Sequence, residues 1–183
     1  GDPPLLAAAK HHHLESFDLL ERLVTVEATR LAADNKGYDA AGLLTHWIRF
    51  SRSIADREFY EEKHWALTSM VRALEKLRDI VHEFPGSIDD RELRDVIRSL
   101  EERDMGVNRI LLPNGDRLAL LQAIGETFVP RGGPNPETFG STLARLAASD
   151  RPMRLFGEAG RWQRIAEGHA GYYETADEAS AVF

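Results

Sequence analysis

The sequence predicts an all-α protein, an antiparallel helical array followed by a loop-rich C-terminal region. Three observations carry that expectation. Apolar residues recur at three- and four-residue steps through residues 1–129. The breaks between these runs fall at Gly, Pro and Asn. No stretch has the period-two alternation of a half-buried strand.

Leu5 to Ala33 carries helix formers without internal Gly or Pro, and Phe17, Leu20, Leu23/Val24, Ala28 and Leu31 mark one buried face. Asp34-Asn35-Lys36-Gly37 ends that helix, with Gly37 suited to the left-handed conformation that follows a helix. A second helix is expected from about Tyr38, with Ala41, Leu44 and Ile48 along one side and Trp47 and Phe50 widening it. Asp56 either caps a third helix or marks a bend. Trp65/Ala66, Met70, Ala73/Leu74, Leu77 and Val81 then form a long stripe that closes at Phe84-Pro85-Gly86. The stretch Val24–Phe84 therefore reads as the packing unit around which the chain is organised.

Asp89 with Glu92, or Ser87 with Asp90, has the spacing of a capping box. It opens a fourth helix through Leu93, Val96/Ile97 and Leu100, expected to end near Met105-Gly106. Pro113-Asn114-Gly115 signals a turn, and Arg117 to Val129 reads as a fifth helix. Pro130 to Pro136 holds three Pro and two Gly in seven residues. That composition sets a boundary between a helical array, 1–129, and an extension packed on the same body, 130–183. The extension is expected to hold a short helix, Glu137 to Ala148, and a last one from Ala176.

Composition narrows the function classes. With 183 residues the chain can bury a core unaided, and its net charge of −7 without a Lys/Arg block disfavours nucleic acid. The absence of cysteine excludes disulfides, thiolate metal sites and cysteine nucleophiles. No apolar run reaches the ~18–20 residues of a membrane span. Gly1 reads as the scar of a cleaved tag, and Asp2-Pro3-Pro4 as an abrupt start with room upstream for a signal or membrane anchor. A bacterial extracytoplasmic or membrane-anchored location fits that reading, and a cytoplasmic one fits the composition equally.

Few residues offer chemistry. Adjacent helical residues point about 100° apart, so His11-His12-His13 cannot all face one ion from within a helix. His11 and Glu15, at i and i+4, share a face, although a solvated polar face accounts for them too. Glu61 and His64 have the Glu-x-x-His spacing that di-iron bundles use. The second such pair, Asp79 and His82, lies about 27 Å further along the same helix, too far to share a metal pair. His11, Glu15, Glu61 and His64 are thus the candidate metal set. Ser141 lacks the frame of a nucleophile elbow, and Gly132-Gly133-Pro134 lacks the lysine of a phosphate loop. Arg131 suits an anion or simply a linker. Trp47, Phe59, Tyr60, Trp65, Trp162 and Tyr172 are candidates to line a binding groove, with His169 beside the last two; aromatics of this kind also anchor a Gly-rich tail to a helical body.

Three resemblances bear on these readings. Leu14 to Glu21, then Phe50 to Arg57 and Glu61-Glu62, resembles hemerythrin-like bundles. Phe59-Tyr60 stands where that family has a His-His pair, and Arg103 and Val107 stand where it supplies His and Glu, so the resemblance does not extend to its iron ligands. Thr29, Ala32, Gly37, Tyr38 and Ala41 resemble a tetratricopeptide helical hairpin, in which small residues let two helices approach. Thr45 and Ser53 depart from that motif, and no second copy follows near a 34-residue spacing. The order Gly-Tyr-Asp-Ala-Ala, long apolar helix, Asp-Asp-Arg-Glu-Leu over residues 20–130 resembles helical domains of uncharacterised bacterial envelope-associated proteins. The resulting expectation is a non-enzymatic interaction or scaffold domain with a protein or peptide partner and no cofactor. The alternative is a metal-binding bundle.

Overall fold

Helix ends are where this chain declares its architecture. The computed structural model describes residues 5–101, 110, 113–130, 132–149, 168 and 170–181. Among them are a 3-10 turn, Leu6–Ala8, and seven α-helices and no strand, so the class is all-α as expected. The helices are α1 (His13–Ala33), α2 (Gly37–Ala55), α3 (Tyr60–Glu83), α4 (Asp90–Leu100), α5 (Asn114–Thr127), α6 (Phe139–Ser149) and α7 (Tyr172–Ala181). Helix α4 ends at Leu100, short of the end expected near Met105-Gly106; those two residues, with Arg103, Val107, Arg131, Trp162 and His169, lie outside the described residues.

The chain divides into two compact units, His11–Leu111 and Gly1–Lys10 with Leu112–Phe183. The helix expected at Arg117–Val129 thus belongs with the C-terminal residues. It also begins earlier, at Asn114, so the Pro113-Asn114-Gly115 signal is the entry to a helix. Proline just before a helix is favoured because its fixed φ leads into one and its missing N–H would have no partner there.

In the first unit, α1 closes with a Schellman motif. Asn35 takes the left-handed conformation, φ 61°, while its N–H bonds Ala32 O and the N–H of Lys36 bonds Leu31 O at 2.9 Å. The left-handed position is therefore Asn35, not Gly37. Gly37 opens α2, and its lack of a side chain serves a close approach: a Cβ there would stand 2.5 Å from Ile88 Cγ1 and 2.6 Å from the Ser87 carbonyl. Its N–H bonds that carbonyl at 3.1 Å. The positive φ of the Phe84-Pro85-Gly86 turn falls on Gly86, at 87°. Asp89 then caps α4 in the first of the two registers expected. Its Oδ1 accepts from the N–H groups of Arg91 and Glu92, and Glu92 Oε2 accepts from Asp89 N.

Helix α2 packs on α1, α3 and α4. Ala28, Ala32, Ala40 and Ala41 are fully or almost fully buried, and such small residues let helix backbones come close. Leu44, Ile48, Met70, Ala73, Leu77, Ile80 and Val96 fill the rest of the core. Each large aliphatic side chain buried there contributes about 1.5–3 kcal/mol. A smaller cluster, Ile54, Ala55 and Ala66 with Phe17, Phe50 and Trp65, lies toward the start of α3. In the second unit, Ile124, Phe128 and Phe139 form the core with Leu143, Tyr172 and Ala179.

Candidate metal centre

The head of α1 and the first turn of α3 bring three potential ligands together. His11 and His12 precede the helix, and Leu14 N bonds His11 O at 3.0 Å in a single tight turn. Because this turn is not part of the α-helix, the 100° rule does not keep the rings of His11 and His13 apart. They stand edge to face, 5.7 Å between centroids. Glu62 faces them from α3, where the amide ends of the first turn favour a carboxylate.

Glu62 is buried, its side chain only 5% exposed, and its Oε1 is the point of convergence. His13 Nε2 is 2.9 Å away, His11 Nδ1 3.8 Å, and Arg57 Nη1 donates a hydrogen bond at 3.2 Å. One nitrogen from each imidazole and one carboxylate oxygen all lie within 4.8 Å of one another. His13 Nε2 is close enough for an ion pair, yet this shielded nitrogen makes no hydrogen bond to the oxygen or to any other group among the described residues. The far nitrogen of His11, Nε2, faces Glu61 at 4.0 Å. Aromatic rings wall the site, Phe59 at 5.1 Å from the His11 ring and Phe17 at 5.5 Å from that of His13.

The cluster brought together here overlaps the expected metal set only at His11. His11 is a potential ligand and Glu61 stands behind it. Glu15 and His64 are exposed and take no part, His64 instead lying 6.0 Å from the ring of Tyr60. His13 and Glu62 were missed. The signal that could have found them is the short His-x-His before the helix, read as a turn.

The groove candidates divide between roles. Trp47 is buried in the core and donates from Nε1 to Ser69 Oγ at 2.9 Å. Trp65 packs beside Phe17 and donates to Asp18 at 2.8 Å. Phe59 lines the metal candidate, Tyr60 is exposed, and Tyr172 packs in the other unit's core. A groove of about 570 Å³ does lie between α1 and α3, but its lining is charged: Asp18, Glu21, Arg22, Arg72, Glu75 and Asp79 among others. Glu21 is buried there, and burial raises its pKa above the ordinary carboxylate value against the opposing pull of Arg72 and a hydrogen bond with Ser69. No helix among the described residues is long and apolar enough to cross a membrane. Comparison with protein-family models, with curated proteins and with solved structures finds no match.

Proposed function

We propose that this chain is a metal-binding helical protein whose centre is His11, His13 and Glu62. The observation that supports it is the convergence of two imidazole nitrogens and a buried carboxylate within 4.8 Å. Bonds of about 2.0–2.1 Å to a tetrahedral ion set its ligands roughly 3.3 Å apart. Separations of 2.9 and 3.8 Å at Glu62 Oε1 need only small side-chain shifts to meet that.

The donor types choose the metal. Two nitrogens and one oxygen without sulfur suit Zn²⁺, Fe²⁺, Ni²⁺ or Cu²⁺, whereas Ca²⁺ and Mg²⁺ prefer all-oxygen cages. Three protein ligands leave coordination positions open, the arrangement of a centre that exchanges ligands. Glu61 behind His11 Nε2 is placed to orient that ring, as carboxylates behind metal-bound histidines do. Titrating dialysed protein with Co²⁺ should give one equivalent bound, with visible ligand-field bands. Absence of saturable binding by Co²⁺ and Zn²⁺ would overturn the reading.

A second reading, a protein-interaction module, has its own observation. Leu19, Leu23 and Val26 on α1 and Val71 and Leu74 on α3 are exposed apolar residues on helices that pack together. In that reading α1 and α2 form an antiparallel hairpin of tetratricopeptide type that presents this face to a protein partner. Charged substitutions at Leu23 and Val26 should then abolish partner capture without unfolding the chain, and unchanged capture would reject it.

A further inference from the structure

Arg57 sits in the turn between α2 and α3, its side chain about half exposed, and donates to the very oxygen of Glu62 that the two histidines face. A divalent ion taking that oxygen would stand against the guanidinium, cation to cation. The geometry points to Arg57 as the centre's exchangeable counter-ion: it pairs with Glu62 when the site is empty, and with an oxyanion on the metal when it is filled. This rests on the metal-binding reading and names the ligand class of that site.

The charge balance gives the class. Glu61 and Glu62 contribute two negative charges; a divalent ion and Arg57 contribute three positive ones, leaving an excess of one. Open positions on the ion need ligands, and an anion fills one while cancelling the excess. Arg57 brings a forked donor suited to carboxylate or phosphate oxygens, and its half-exposed side chain can turn from Glu62 to meet one. The aromatic walls, Phe17 and Phe59, offer no competing acceptor. A neutral or cationic co-ligand would leave the excess charge uncompensated.

Co²⁺ and then inorganic phosphate, followed by the visible bands of cobalt, test this in wild type, Arg57→Gln and Arg57→Lys. Arg57→Gln should bind Co²⁺ about tenfold more tightly, because the competing cation is gone, while the loaded variant binds phosphate about tenfold more weakly. Arg57→Lys keeps the charge, so it should hold Co²⁺ as wild type does and retain most of the phosphate affinity. Equal Co²⁺ and phosphate affinities in wild type and Arg57→Gln would overturn the role of Arg57 while leaving the metal centre standing. Failure of every variant to bind Co²⁺ would remove the centre itself, and the inference with it.

Discussion

Lys63 reaches back across the α2–α3 turn and donates from Nζ to the carbonyl of Ala55, 2.8 Å away, at the last residue of α2. The ammonium is buried, and it satisfies a carbonyl at a helix end that has no partner within its own helix. The turn it spans carries Arg57, and the next residue before it is Glu62. That hydrogen bond helps to fix the segment carrying Glu62, one of the three ligands of the candidate centre. Lys63→Met, similar in shape but without a donor, should destabilise the fold by about 1–3 kcal/mol. A lower urea midpoint at constant slope is the measurement.

Metal binding should separate Glu15 and His64, which only the sequence singles out, from His13 and Glu62, which only the fold brings to His11. His13→Ala should weaken Co²⁺ binding by more than about 100-fold, since loss of even an outer-shell partner costs 10–100-fold. Glu15→Ala and His64→Ala should bind as wild type, because both side chains are exposed and outside the cluster. Equilibrium dialysis reads all three.

Gly37 is a test of close packing. A methyl at this position meets Ser87 and Ile88, and one of the atoms in the way is backbone, which cannot simply rotate aside. Gly37→Ala should therefore cost about 1–3 kcal/mol, despite alanine's better helix propensity. A thermal midpoint unchanged or raised would mean that the 84–88 segment gives way freely.

Glu21 predicts a pH dependence. Its folded pKa is raised, chiefly by burial, so the folded chain holds this proton more tightly than the unfolded one. Stability from this group is then greatest below its ordinary value, about 4.3, and is lost as pH rises through the folded value. Asp18, Glu75 and Asp79 line the same groove with Arg22, Arg72 and Lys76, so the comparison must be with a variant at the same pH. Glu21→Gln should flatten that descent, and at pH 7 should be neutral or stabilising by up to about 1 kcal/mol. Urea unfolding of both proteins from pH 4.5 to 8 measures it.

Helix identity was legible in the sequence because burial repeats with the helical period. The stripe through Ala66, Met70, Ala73 and Leu77 and the Asp89–Glu92 cap need no knowledge of tertiary contacts. Val81, Leu20 and Leu23, expected on buried faces, are instead exposed, and Ile80 is buried in place of Val81. Two features were not legible for definite reasons. The left-handed residue after α1 could be Asn35 or Gly37 by local preference, and only the Ser87 carbonyl pressed against Gly37 decides it. The metal candidate was hidden by assigning the His11–His13 run to a helix. The helix starts at His13, and the preceding turn redirects His11. Glu61 carries the recognisable spacing to His64, but the buried face of α3 belongs to Glu62, which only the packing of α1 reveals.

The three ligands come from two distant places in the chain, with all of α2 between them. An ion held there would join points about fifty residues apart, and closing a loop of that size removes freedom from the unfolded chain much as a disulfide does, by roughly 4 kcal/mol in the chain-entropy model. A chain without cysteine has no thiol for such a staple. Coordination would supply one that a chelator can cut and the surrounding metal supply can restore, making folding and metal availability a single equilibrium.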